Sequence, residues 1–183
     1  MKSPLLLTLF LVLTASSSAA PSPYAGEQTH AIKALSADDI FGYLSGHGMG
    51  LARPAELNSY PGPRHVLDSA DELKLTPAQI AALTKVFDGM HAAALPLGGA
   101  IMAKETELDQ LFTARQATDA AVLAATREIG RLQGELRAVH LNAHVATVKI
   151  LTPEQVAAYN RLRGYETPAA AAVRPAGQKH GSA

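Results

Sequence analysis

Leu75-Thr76-Pro77-Ala78-Gln79 and Leu151-Thr152-Pro153-Glu154-Gln155 are two copies of one phrase, and each reads as the start of a helix. The threonine stands at the N-cap, where its hydroxyl accepts from the N3 backbone N–H. Proline at N1 loses no hydrogen bond, and its fixed φ suits a first turn. Glutamine at N3 completes a capping box by reaching back to the N-cap N–H, and the leucine at N′ is placed to staple onto Ile80 or Val156 at N4. Thr76, Pro77, Gln79, Thr152, Pro153 and Gln155 are therefore expected as structural helix caps. Two full sets about 76 residues apart make a pair of corners in an all-helical chain.

Between the corners the apolar residues recur at helical spacing. Ile80, Leu83, Phe87 and Met90 share one face, and the pattern resumes with Ile101, Leu108, Leu111 and Phe112. Pro96, with Gly98 and Gly99 close by, is expected to kink or interrupt this helix. Residues 113–117 form a short polar connection, and Thr118 caps a second helix. That helix carries Val122, Ala125, Ile129, Leu132, Leu136 and Val139 and runs to about Ile150. Its alternating three-and-four steps suit coiled-coil packing. Two helices of roughly 50 Å joined by a short loop must pack antiparallel. A final helix spans Thr152 to about Arg163. Upstream, Ser36 caps a short amphipathic segment to about Leu44, and the glycines of Gly46-His47-Gly48-Met49-Gly50 end it. A turn follows at Tyr60-Pro61-Gly62-Pro63. From Arg64 to Lys74 a helix is expected, with Val66, Leu67, Ala70 and Leu73 on one side.

The expected fold is thus all-α, a long antiparallel helical hairpin with shorter flanking helices. So thin a hairpin has little interior, and flanking helices or a second subunit must cover its apolar stripe, so an intertwined homodimer is expected. Met1-Lys2, an apolar run to about Ala15 and the small residues Ser16–Ala20 read as a secretory signal peptide over residues 1–19. Residues 20–35 read as a flexible N-terminal segment, 36–165 as the helical domain, and the Ala-, Pro- and Gly-rich 166–183 as a disordered tail. The mature chain is expected to be soluble in the periplasm.

The 16 basic and 16 acidic residues cancel, which argues against nucleic acid and anionic membranes as partners. The chain has no cysteine, hence no disulfide, no thiol chemistry and no thiolate metal site. Neither a nucleophile elbow nor an HExxH phrase is present, and the Gly46–Gly50 stretch lacks the Gly-Lys-Ser/Thr ending of a phosphate loop. No enzymatic activity is expected. Glu105, Glu107 and Asp109 read as a solvated acidic run that pairs with Lys104 or Arg115.

Seven histidines remain. His140 and His144 stand at i and i+4, on one helix face and close enough to ligate one ion. Antiparallel pairing across the hairpin places His140 near His91 and Met90, and His144 near Phe87. Imidazoles suit zinc, copper or nickel, and a thioether tilts the choice toward copper(I). Alternatively, His140 extends the Leu132, Leu136 stripe by one step and marks only the edge of the core. His47 and Met49 form a second soft-donor pair, read as a by-product of a tight glycine connection. His65 begins a helix, where it could ligate as a neutral imidazole with Asp68 one turn on, although capping geometry is the commoner role for such a position.

The paired Leu-Thr-Pro-x-Gln corners around a hairpin resemble the periplasmic LTxxQ family of Spy/CpxP-like chaperones and heavy-metal sensor proteins. Gly48-Met49-Gly50-Leu51-Ala52, Ala55-Glu56-Leu57-Asn58 and Tyr60-Pro61-Gly62-Pro63 are similar to its heavy-metal sensor branch. The resemblance covers roughly residues 24–165. It implies a small all-α periplasmic protein, usually dimeric and without enzymatic activity. Members bind metal, bind unfolded polypeptide, or restrain a membrane-bound sensor protein. Two functions therefore stand side by side: a metal-binding sensor or stress-response protein, and a metal-independent chaperone or adaptor.

Overall fold

The computed structural model describes residues 20–165. The expected signal peptide, 1–19, and the expected tail, 166–183, lie outside the described residues. Six α-helices follow one another: α1 (Ala37–Ser45), α2 (Arg53–Glu56), α3 (Pro63–Asp68), α4 (Pro77–Thr113), α5 (Asp119–Val148) and α6 (Pro153–Leu162). No strand occurs among the described residues. At 37 and 30 residues, α4 and α5 are about 55 and 45 Å long. They form the antiparallel hairpin, against which the shorter helices pack.

Both corner phrases form complete capping boxes, with Thr76 accepting from Gln79 N–H and Thr152 from Gln155 N–H. The glutamines do more than cap. Gln79 Nε2 donates to Gln155 Oε1 at 2.8 Å, and Gln155 Nε2 donates back to Gln79 Oε1 at 3.1 Å. Each amide also donates to the carbonyl leading into the opposite corner, Gln79 to Ile150 at 3.0 Å and Gln155 to Leu73 at 3.2 Å. Each Oε1 accepts in addition from its own N-cap N–H, Thr76 at 3.0 Å and Thr152 at 2.9 Å. The two phrases are one interlocked, pseudo-twofold unit.

Around this unit lies the first apolar cluster, Val66, Leu73, Leu83, Leu151 and Tyr159, with Leu75 and Val156 against it. The second lies further along the hairpin, where Ala94, Ile101, Leu132 and Leu136 pack with Tyr43 and Leu51. Burying such side chains contributes about 1.5–3 kcal/mol each. Lys33 ties the N-terminal segment to Asp109 on α4 at 3.1 Å, and Ile32 and Leu35 are buried beneath it.

Three expectations change. Pro96 lies inside a continuous α4 and does not interrupt it. Ala94 and Ile101 are fully buried on either side of it, so packing outweighs the lost hydrogen bond. Its neighbour Gly98 has a packing reason, since a Cβ there would stand 2.3 Å from the Tyr43 carbonyl oxygen. The helix expected over 64–74 stops at Asp68, and Lys74 adopts φ 51° before the corner. The turns that replace it still deliver Val66 and Leu73 to the core. Glu105 is buried, not solvated, and desolvation raises its pKa. Glu107 does pair with Lys104, at 2.7 Å.

Replacing Gln79 by alanine removes its side chain's hydrogen bonds to Thr76 N–H, the Ile150 carbonyl and, twice, Gln155, at an expected cost of about 1–3 kcal/mol. Urea unfolding of Gln79→Ala, Gln155→Ala and the double variant checks this. A coupling near 1 kcal/mol marks one unit, whereas additive losses mean two independent caps.

Candidate metal centre

Between the two clusters the hairpin seam turns polar. On α4, Phe87, Met90 and His91 lie between Leu83 of one cluster and Ala94 of the other; on α5, His140 and His144 lie between Leu136 and Leu151. A cavity of about 430 Å³ opens at this level, roofed by the α1–α2 connection and the start of α3. Its lining includes five imidazoles, from His47, His65, His91, His140 and His144, and the Met90 side chain. His91, His140 and His144 therefore share one cavity with His47 and His65, which the sequence reading set aside in favour of a tight connection and a helix start.

Each ring is held differently. His140 is only 3% exposed, and its Nε2 is buried with no hydrogen-bond partner. Burial pushes its pKa down, and the neighbouring His144 adds to the effect, so the ring is neutral. His144 donates from Nδ1 to the Tyr60 carbonyl at 2.6 Å, which leaves its Nε2 lone pair free. His91 donates from Nε2 to the Ser45 carbonyl at 3.1 Å, which frees Nδ1, and its ring stacks on Phe87. His47 contacts the Ser45 hydroxyl through Nδ1. A carbonyl holding one imidazole nitrogen so that the other can ligate is the usual outer-shell arrangement of metal-binding histidine.

Two glycines, Gly62 and Gly46, leave room for these rings, while a Cβ at Gly48 would meet His140 only at ordinary contact distance. A Cβ at Gly62 would come within 3.0 Å of His144 Nε2, one at Gly46 within 3.0 Å of His91 Cδ2, and one at Gly48 within 3.8 Å of His140 Nδ1. Gly62 has φ −81°, open to any residue, so its missing side chain answers to the histidine and not to the backbone.

Behind His144 lies Glu56. Its Oε1 accepts from the Tyr159 and Tyr165 hydroxyls, and its Oε2 accepts from Gly62 N–H at 3.2 Å. Arg163 approaches it at 3.7 Å, and His144 Nδ1 at 3.6 Å. Burial, reinforced by the Glu56 carboxylate, holds the Tyr159 phenol well above its usual range. This network joins α2, α5 and α6 directly beneath the cavity.

The donors have metal-binding chemistry, and the unpartnered His140 nitrogen lacks any other use in the fold. Their arrangement is open: among the described residues no three His, Asp or Glu side chains converge on one point. Loops separate His47 and His65 from the hairpin pair, so sequence spacing does not show that they join the same cavity.

The sequence model of a family described as heavy-metal resistance matches residues 43–158. The chain belongs to that family, a branch of the Spy/CpxP-like helical proteins. The matched span holds both corners and every cavity histidine. No curated protein and no solved structure matches the chain.

Because its folded pKa is depressed below 6.5, His140 binds a proton more readily in the unfolded chain. Its contribution to stability is whole above pH 6.5 and falls away as the pH drops below that value. Denaturant unfolding between pH 8 and 5 is expected to show this loss, and His140→Leu to reduce it. At pH 8 that substitution, which removes an unpaired buried nitrogen, is expected to be neutral or stabilising. An unchanged pH profile in the variant means that other groups govern the acid response.

Proposed function

We propose that this member of the heavy-metal resistance family is an exported, periplasmic metal-binding protein that senses or buffers a transition-metal ion and has no enzymatic activity. The observation that carries the reading is the meeting of His91, His140 and His144 with His47 and His65 on one cavity, His140 offering a buried, unpartnered nitrogen. Zinc, nickel and copper are the ions whose chemistry suits imidazole. An ion held by His144 would act next to the Tyr60 carbonyl and Glu56, and so on the packing of α2 and α6. That is a route from occupancy to surface shape.

A second reading has its own support. α4 contains an 18-residue window that is long and apolar enough to cross a membrane by composition, and 17% of it is buried. Leu95 and Phe112 on this helix are 37% and 57% exposed. Exposed apolar side chains of this kind suit a partner: a second copy in a homodimer, unfolded polypeptide, or a membrane-bound sensor protein.

Calorimetric titration of zinc, nickel and copper into the purified chain, beside His140→Ala/His144→Ala, tests the first reading. Binding to the wild type that is abolished in the variant is expected; indistinguishable isotherms remove the metal site. Suppression of client aggregation to the same extent with and without metal favours the second.

A further inference from the structure

The charge of the cavity's lining narrows the ion. Its donors, five imidazoles and one thioether, are neutral ligands, and no carboxylate is among the lining residues. The one formal charge in the lining is positive, the Arg64 guanidinium, which lies over the Phe87 ring and is paired outward with Asp68. Glu56, the carboxylate behind His144, is already engaged. Two tyrosine hydroxyls and the Gly62 N–H occupy its oxygens, and Arg163 shares its charge. The cost of taking an ion out of water rises with the square of its charge, so a divalent ion costs about four times as much here as a monovalent one. Nothing in the lining offsets the difference.

Ligand number points the same way. Structural and catalytic zinc sites use three or four protein donors, commonly with a thiolate or carboxylate among them. Among the described residues no three His, Asp or Glu side chains converge. A soft monovalent d10 ion is satisfied by fewer donors, and thioether sulfur is one it prefers. Met90 precedes His91 on α4 and faces the same cavity, half-buried.

We propose, resting on the metal-binding reading above, that the cavity is selective for a soft monovalent ion, of the cuprous and silver class, over zinc and nickel. His140, His144 and Met90 are the residues that would hold the ion. The imidazoles supply affinity for metals generally, and the thioether together with the missing carboxylate supplies the preference for single charge.

Silver(I) is the probe, because it needs no reductant. Silver, zinc and nickel are titrated into the full purified chain in chloride-free buffer at neutral pH, with competing chelators to rank the affinities. Met90→Leu, which conserves volume, and His140→Ala/His144→Ala are measured beside it. Silver is expected to bind at least about tenfold more tightly than zinc or nickel. Met90→Leu is expected to weaken silver binding by about 10-fold or more while leaving zinc unchanged. Zinc or nickel binding as tight as silver, or an equal loss of all three ions in Met90→Leu, overturns the selectivity and leaves the metal-binding reading intact. Silver binding that survives in the histidine double variant overturns both.

Discussion

The reciprocal amide pair of Gln79 and Gln155 fixes the molecule. Each side chain closes its own helix start, grips the other and holds the carbonyl at the end of the incoming segment. An amide has two donors and an acceptor oxygen with two lone pairs, so these two groups have little capacity left over. The lock sets where α4 begins relative to where α5 ends. In an antiparallel pair, that choice decides which side chain meets which along the whole seam. The level at which Met90 and His91 face His140 and His144 is a consequence of it.

The seam is not uniformly apolar, and the exception is informative. Two well-packed clusters flank a level where imidazoles replace leucines. A buried ring nitrogen without a partner opposes folding, because it has left water and gained nothing in exchange. A core selected for stability alone would continue the Leu132, Leu136 stripe with another aliphatic residue. That His140 stands there instead, beside glycines that leave room for its neighbours, is the feature of the seam that packing does not account for.

Much of this was legible before folding. The caps, the hairpin and its polar connection follow from local chemistry, which is written in consecutive residues. The helix pair His140–His144 was readable for the same reason, since i and i+4 share a face by geometry alone. The helix runs on through Pro96, and Glu105 and the 64–74 segment were misread, because tertiary packing decides them: the burial of Ala94 and Ile101, the desolvation of a carboxylate between helices, and a turn that still delivers Leu73 to the core. His47 and His65 joined the cavity only through the path of the chain between α1 and α3. No periodicity records that path. The second role of the glutamines was hidden likewise, because a capping box uses only part of an amide.

The contact between Gly62 and His144 links two positions 82 residues apart through a single excluded atom. Neither can drift alone. A side chain gained at 62 collides with the ring at 144, while a small residue at 144 removes the need for glycine at 62. A substitution at either position therefore changes what the other can hold.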